Sequence, residues 1–261
     1  VYEAAARQLT PVTLELGGKC PVVVNDGDIG AIARRLAYGK FMNAGQTCVA
    51  PDYVLAVGDT GPRLAKALGK VIKEFYGANP QESKDFGRII NVNHVQRLAG
   101  LLEEGTILTG GQVDEADRYV APTILTGVTP DSAVMQEEIF GPILPILSVP
   151  SFDDALRFIG DRPDPLAAYV FTERSGVTRA FEEGVRAGAV GVNATNIHLA
   201  VPELPFGGVG ASGIGAYHGK AGFDTFSQQR PTLNKGTRLD TLKVVYPPYG
   251  SAKSALLKRV L

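Results

Sequence analysis

The sequence has almost no net charge and no long apolar run, and each shortage excludes a class of protein. Its 26 Lys and Arg residues against 27 Asp and Glu give a formal charge of −1. This balance lacks the basic footprint of proteins that bind nucleic acid or an acidic membrane surface. No apolar stretch approaches the roughly 20 residues that cross a bilayer. We therefore expect no nucleic-acid or membrane partner, and a small neutral ligand fits better.

Cysteine and histidine are scarce. Cys20 and Cys48 are the two cysteines among 261 residues, and a chain of this length forms a core without disulfides. The first residues are polar and alanine-rich rather than an apolar signal segment, so we expect free thiols in a cytoplasmic protein. His94, His198 and His218 are scattered, with no cysteine or carboxylate at metal-ligand spacing. No metal site is predicted.

Apolar residues follow helix and strand periods in alternation. Asp28 is expected to cap a helix that ends near Asn43, and Gly77 to end a helix whose apolar stripe includes Leu64 and Leu68. Further helices are predicted over about 93–104, 151–159, 175–185 and 253–261, and strands over 13–16, 21–24, 53–57, 119–125, 143–149, 167–171 and 189–192. This alternation favours a mainly parallel, doubly wound α/β sheet with helices on both faces. Such sheets place ligands at the carboxyl ends of their strands.

Two residues are candidates for chemistry. Cys48 lies in a loop that leaves the first of these helices, and no charged residue stands between Lys40 and Asp52. A thiol alone in a loop is more often structural than catalytic. Glu15 lies in an apolar strand beside a glycine turn, where burial would be costly for its charge and would make the carboxylate a stronger base. The alternative for Glu15 is an exposed residue of an edge strand.

The segments around both residues resemble the two active-site motifs of the aldehyde dehydrogenase superfamily. They read Leu14-Glu15-Leu16-Gly17-Gly18-Lys19 and Gly45-Gln46-Thr47-Cys48, and the resemblance continues through Glu137-Glu138-Ile139-Phe140-Gly141-Pro142 and Leu204-Pro205-Phe206-Gly207-Gly208. Segments 39–43, 48–53, 119–125 and 217–220 look like the class 3 and coniferyl aldehyde branch. The resemblance covers essentially the whole chain.

The resemblance implies a mechanism for Cys48 and Glu15. The Cys48 thiolate, its pKa lowered by local dipoles, would attack the aldehyde carbon, and transfer of a hydride to a nicotinamide would leave a thioester on the sulfur. Glu15 would activate the water that hydrolyses this thioester, and the Cys48 N–H would help hold the oxyanion. The implied substrates are aromatic or medium-chain aliphatic aldehydes.

The resemblance also assigns residues around these two. Glu138 matches the residue that hydrogen-bonds the ribose next to the nicotinamide, and Phe140 matches the ring that packs nearby. The full set is Leu16, Gly17, Glu138 and Phe140 for the cofactor, and Asn43, Asn193 and Phe206 for the substrate pocket and its support. The implied cofactor is NAD or NADP, and the implied assembly is a homodimer.

The chain is expected to hold the catalytic half of such an enzyme. By the resemblance, residues 1–20 are a remnant of the cofactor-binding domain, 21–225 form the catalytic domain, and 226–261 are a C-terminal extension and candidate oligomerisation segment. The family's glycine-rich cofactor motif and its oxyanion-stabilising asparagine lie upstream of Val1. We therefore expect a fragment that binds NAD weakly and turns over poorly. Cys20 departs from the family, which usually has a small polar residue there.

Two other functions stay open on the sequence alone. A cofactor-independent thiol esterase could use the same Cys48 and Glu15, and it predicts ester cleavage without NAD. A non-catalytic assembly module predicts unexceptional thiol reactivity and strong self-association. Aldehyde-dependent formation of NAD(P)H would separate the dehydrogenase from both.

Overall fold

The computed structural model describes residues 1–260, in one unit over residues 1–226 and a second from residue 227 onward. The helices are α1 (Tyr2–Ala6), α2 (Ile29–Phe41), α3 (Thr60–Tyr76), α4 (Val92–Leu101), α5 (Phe152–Gly160), α6 (Ser175–Gly184), α7 (Gly219–Thr225) and α8 (Ser251–Val260). The strands are β1 (Leu14–Glu15), β2 (Pro21–Val24), β3 (Tyr53–Val57), β4 (Thr106–Thr109), β5 (Val113–Asp114), β6 (Tyr119–Val120), β7 (Thr123–Thr126), β8 (Ile143–Val149), β9 (Ala167–Phe171), β10 (Ala189–Val192) and β11 (Gly213–Ile214).

Seven strands form the central sheet, in the order β10-β9-β2-β3-β8-β7-β4. Every neighbouring pair is parallel except β7 and β4. Helix α2 packs against α3 and α5 against α6, and both α3 and α5 contact the central strands β3 and β8. The predicted mainly parallel α/β sheet is confirmed, with a helix layer on each face.

The central strands are apolar on both sides. Val22, Val23 and Val24 in β2 have no exposed surface, and all five residues of β9 are buried. A strand with helices over both faces has no solvent side, which is why its sequence reads as a continuous apolar run. The core therefore lies between the sheet and its two helix layers.

The helix ends that local chemistry predicts are confirmed. The Asp28 carboxylate accepts hydrogen bonds from the N–H groups of Gly30 (2.8 Å) and Ala31 (3.1 Å) at the start of α2. At the start of α5, Ser151 accepts from the Asp154 N–H at 3.2 Å. Gly77 ends α3 with a φ of +79°, a region open to glycine. Each of these signals acts within a few residues, so the sequence alone is enough to predict the helix end.

The predicted strand over 119–125 is wrong as a single element. It is two strands, β6 and β7, which pair in different sheets: β6 with β5, and β7 with β8 and β4. Pro122 stands between them, and its ring nitrogen cannot donate to a strand ladder. The chain changes sheets at that residue.

The expected buried strand over 13–16 is also different. The strand β1 holds Leu14 and Glu15 alone, and it pairs with β11 in antiparallel register, Leu14 opposite Ile214 and Glu15 opposite Gly213. The strand β11 lies in a glycine-rich segment that has no apolar period, so nothing in the sequence predicted it. The pairing of β1 was therefore not predicted, whereas the exposure of Glu15 agrees with the alternative of an edge strand.

In the second unit, α8 begins two residues before the predicted 253–261 helix, and Leu261 lies outside the described residues. The division into residues 1–20, 21–225 and 226–261 stays a prediction. Among residues 1–260, no helix is long and apolar enough to cross a bilayer.

Candidate active site

The candidate residues gather where the parallel strands begin, which we call the amino edge of the sheet. Glu15 precedes β2, Cys48 precedes β3, and Glu138 precedes β8. These three strands are neighbours in the sheet, so the segments that lead into them meet. The general rule for parallel sheets favours the opposite, carboxyl edge, and the candidate residues do not follow it.

The turn before the nucleophile is tightly built. After α2 ends, Asn43 and Ala44 take left-handed conformations, with φ of +53° and +52°. The Asn43 side chain donates to the Gln46 carbonyl, and the Gln46 side chain donates back to the Asn43 carbonyl, each at 3.0 Å. Gln46 also donates to the carbonyl of Arg88 and accepts from the N–H of Ile90. Asn43 is exposed and supports the turn rather than a pocket wall.

Gly45 explains how this turn meets the segment that carries Glu138. A Cβ at Gly45 would lie 2.3 Å from the carbonyl oxygen of Gly141, a distance that no side chain tolerates. Gly45 also has a φ of +75°. Glycine is required there by both conformation and contact.

Cys48 is half-buried, and its sulfur is flanked by carboxylates. Burial, followed by the charges of Glu15 and Glu138, raises the pKa of the Cys48 thiol to about 11. The N–H groups of Cys48 and Val49 point at the sulfur and act in the opposite direction. These N–H dipoles lower the pKa as expected, but burial and two negative charges outweigh them, so the thiol is less acidic than a free one.

Glu15 is exposed, which agrees with the alternative of an edge-strand residue and not with the burial expected from its apolar neighbours. Pairing of β1 with β11 holds it beside the thiol, and its charge acts on both Cys48 and Tyr217. A carboxylate that reaches the sulfur and also water is suitably placed to activate a water molecule.

Glu138 lies against the glycine turn. A Cβ at Gly17 would lie 2.8 Å from one of its carboxylate oxygens, and the N–H of Gly18 donates to the carboxylate. Burial and, next, the charge of Asp52 raise the pKa of Glu138 to about 7, against the opposing effects of that N–H and two lysines. Glu138 therefore titrates near neutrality.

A cavity of about 590 Å³ opens on this side of Glu138. Three of the four predicted cofactor residues, Leu16, Gly17 and Glu138, line it, together with Lys19 and Arg162. Phe140, the fourth, is not part of the lining; it is 43% exposed, and Leu16 is 60% exposed. Volumes of roughly 300–1,000 Å³ hold small ligands. The glycine that makes room for the acid and the adjoining cavity fit the ribose and nicotinamide end of a dinucleotide.

Lys19 and Asp52 form a largely buried ion pair beneath Glu138. Lys19 also donates to the Glu137 carbonyl at 2.8 Å, and Asp52 accepts from the Ile139 N–H at 3.0 Å. The backbone on both sides of Glu138 is thereby held. Sequence reasoning missed both residues, although Lys19 belongs to the quoted motif.

Lys40 has no exposed surface, and its Nζ has no hydrogen-bond partner among the described residues. Burial lowers the pKa of Lys40 to about 8, although Asp52 and Glu138 raise it. The sequence offered a signal, since Lys40 occupies the apolar stripe of α2 four residues after Leu36. A lysine in that stripe has to be buried.

Phe206 is 5% exposed and lies in an aromatic cluster. It forms two backbone hydrogen bonds with Tyr217, and its ring stacks on His218 with centroids 5.2 Å apart. Tyr217 faces the thiol, because the charge of Cys48 contributes to a raised pKa of Tyr217, after burial and Glu15. Phe206 therefore packs behind a ring that borders Cys48.

Asn193 is not brought together with Cys48. It lies at the end of β10, on the carboxyl edge, where its side chain accepts from the Thr172 N–H and donates to the Thr172 carbonyl, both at 2.9 Å. Its carbonyl accepts from Arg35. The residue that reaches the nucleophile loop from this region is Asn196, through the Tyr169 hydroxyl, and no sequence signal marked it. Within residues 1–260, no cluster of three or more His, Cys, Asp or Glu side chains could hold a metal ion.

Known proteins resemble this chain over nearly its whole length. Residues 1–231 match the model described as "Aldehyde dehydrogenase family". Aldehyde dehydrogenase family 3 member A2 of Mus musculus is 51% identical over 260 residues, 99% of this chain and 54% of that protein. The dimeric NADP-preferring aldehyde dehydrogenase of Rattus norvegicus is 50% identical over 250 residues, 95% of this chain and 55% of that protein.

A solved structure agrees with these relatives. The substrate-bound state of Staphylococcus aureus AldH superposes with a TM-score of 0.95 at 49% identity, covering 99% of this chain and 57% of that one. The class 3 resemblance is confirmed by the family 3 relative. The chain spans about half the length of the proteins it matches.

Proposed function

The chain belongs to the aldehyde dehydrogenase family, and from that premise we propose that it carries the catalytic part of an enzyme that oxidises an aldehyde to a carboxylic acid with NAD or NADP. One observation carries the proposal: two carboxylates, Glu15 and Glu138, converge on a single half-buried thiol, Cys48. Because the chain spans about half of its relatives, the activity is proposed for the whole protein.

The chemical steps use Cys48 and Glu15. The Cys48 thiol gives up its proton to solvent, and the resulting thiolate bonds to the aldehyde carbon, whose oxygen becomes negative and is stabilised by the N–H of Cys48. The bond from that carbon to hydrogen then breaks with loss of a hydride, which leaves a thioester. Glu15 takes a proton from water as the water oxygen attacks the thioester carbon. The bond from carbon to sulfur then breaks, the carboxylic acid is released, and the proton held by Glu15 returns to the sulfur, which restores the thiol and the carboxylate.

NAD(P), when bound, supplies the hydride acceptor. Glu138 would accept hydrogen bonds from the ribose hydroxyls, and Gly17 leaves the space that its carboxylate needs. Leu16, which lines the cavity, would offer exposed apolar surface to the nicotinamide ring, and the exposed ring of Phe140, outside that lining, is the proposed neighbour of the bound cofactor. The rat relative is named as NADP-preferring and dimeric, which supports NADP as one candidate and a homodimer as the assembly. Aromatic and medium-chain aliphatic aldehydes are the proposed substrates, and the cytoplasmic location stays a prediction.

The test is aldehyde-dependent NAD(P)H formation by the full-length protein. Cys48→Ser is expected to lower the rate by at least about a thousandfold, because a hydroxyl is a far weaker nucleophile at neutral pH. Retention of the wild-type rate would contradict the mechanism. Ester cleavage by the chain without NAD(P), lost in Cys48→Ser, would favour the thiol esterase instead, and strong self-association with no thiol-dependent turnover would favour the assembly module.

A further inference from the structure

Cys20 is a buried thiol that lies directly behind the nucleophile loop. It has no exposed surface, and its Sγ donates to the carbonyl oxygen of Cys48 at 3.4 Å. The backbone carbonyl of Cys20 accepts from the N–H of Asp52 at 2.8 Å, so the two segments run side by side. Cys20 therefore touches the loop on both sides of Val49.

The direction of the Cys20 hydrogen bond follows from its surroundings. The N–H of Ala167, at the start of β9, points at the Cys20 sulfur, which leaves the sulfur's own proton for the Cys48 carbonyl. Burial, which outweighs that N–H, raises the pKa of Cys20 far above its usual value. The group stays a neutral thiol and hence a donor at any ordinary pH.

One rigid peptide group links Cys20 to the reactive sulfur. The peptide between Cys48 and Val49 is planar, with its C=O and N–H on opposite sides. Its C=O accepts from Cys20, and its N–H points at the Cys48 sulfur. Fixing the first orientation fixes the second. The next carbonyl, of Val49, is held in turn by the Tyr169 hydroxyl at 2.8 Å.

We propose that Cys20 is a positioning residue that holds the Cys48–Val49 peptide so that its N–H is aimed at the nucleophilic sulfur. The nucleophilic role of the sulfur rests on the proposed function, whereas the orientation of the peptide does not. The thiol does there what a hydroxyl donor would also do.

The test measures the rate at which iodoacetamide labels Cys48 in this chain between pH 7 and 11, read from the labelled peptide by mass spectrometry. The groups that face the sulfur, namely Glu15, Glu138, Tyr169 and Tyr217, are unchanged in every variant. Cys20→Ala, which lacks a donor, is expected to label about tenfold more slowly at pH 8, with its pH profile moved upward. Cys20→Ser, which keeps a donor, is expected to stay within about twofold of wild type.

A merely structural role predicts a different pattern. Cys20→Ala and Cys20→Ser would then shift together, or neither would shift, and either result overturns the inference. Cys20→Val, which fills the space without a donor, repeats the test should Cys20→Ala fold poorly; wild-type labelling in it also overturns the inference. Failure of the proposed function would appear separately, as unchanged aldehyde oxidation in Cys48→Ser.

Discussion

The two edges of the central sheet carry polar groups of opposite character. On the carboxyl edge, Thr172 joins Asp26 and Asn193: its hydroxyl donates to Asp26, and its backbone N–H and carbonyl bond the Asn193 side chain. Burial alone would raise the pKa of Asp26, but hydrogen bonds from Glu173, Asn25 and Thr172 bring it below its usual value. Those groups are satisfied. Their arrangement stabilises the ends of β9 and β10.

On the amino edge, three ionisable groups have pKa values shifted from their usual ones. Cys48 and Glu138 have raised pKa values and Lys40 a lowered one, in each case mainly through burial. Ionisable groups with strongly shifted pKa values mark functional sites more often than fully hydrogen-bonded polar networks do. The comparison supports the amino edge as the place of the proposed chemistry, although the common rule for parallel sheets favours the other edge.

The largest expected effect is a loss of activity on changing Glu15, at the amino edge. Glu15→Gln in the full-length protein should lower the steady-state rate of aldehyde oxidation by about a hundredfold or more, because the thioester loses its general base. A burst of NAD(P)H followed by slow turnover is the expected trace in a stopped-flow experiment. Glu74→Gln, an exposed carboxylate on α3, is the matched control and should leave the rate unchanged. Equal rates in the two variants would remove Glu15 from the mechanism.

Lys40 tests whether the amino edge is strained. Its folded pKa of about 8 lies below the unfolded value, so the unfolded chain binds the extra proton between about pH 8 and 10.5. The stability it contributes is therefore full above pH 10.5 and lost as the pH falls through 8. Lys40→Met should remove a rise in unfolding free energy on the order of 3 kcal/mol over that window. Urea titrations at pH 7.5 and 10.5 measure it, with exposed Lys66→Met as control; identical pH slopes in wild type and Lys40→Met would contradict the argument.

Thr172 tests the carboxyl edge. Its hydroxyl donates to Asp26 and accepts from the N–H of Arg174. Thr172→Val keeps the shape but removes one of the hydrogen bonds to Asp26 and the acceptor of the Arg174 N–H, so unfolding in urea should become easier by about 1–3 kcal/mol. Aldehyde oxidation by the full-length variant should stay near wild type once it is folded. A large loss of kcat without a loss of stability would break the comparison between the edges.

Glu138 gives the smallest expected effect. Above its pKa of about 7 it is charged and opposes ionisation of Cys48. Glu138→Gln should therefore speed iodoacetamide labelling of Cys48 about threefold at pH 9 and hardly at all at pH 6. Exposed Glu137→Gln is the neighbouring control. A uniform change at both pH values would point to altered access to the sulfur rather than altered charge.

Local chemistry predicted much of the fold, and distant pairing explains the failures. The caps at Asp28 and Ser151 and the end at Gly77 follow from a few adjacent residues, and each is confirmed. The pairing of Glu15 with Gly213 joins positions about 200 residues apart, and Gly213 lies in a segment without a pattern. No local argument reaches that far.

The candidate site divides in the same way. Motif resemblance named Cys48, Glu15 and Glu138, which the structure brings together, and Asn193, which it does not. The supporting groups behind them, including Cys20 and Tyr169, act through backbone carbonyls. A carbonyl looks the same in every residue, so a sequence carries no mark of which one will be held.

The adjacency of β2, β3 and β8 has a consequence for how the protein is made. Glu15, Cys48 and Glu138 are far apart along the chain and meet only once those three parallel strands are in register, which is a slow, non-local event during folding. Before that event the thiol is exposed and ordinary; afterwards it is buried between two carboxylates and less acidic. Folding of the sheet therefore lowers the reactivity of the Cys48 sulfur towards electrophiles. A newly synthesised chain is therefore most readily modified by electrophiles before these strands pair. Pulse labelling of Cys48 during refolding would measure the rate at which the site assembles.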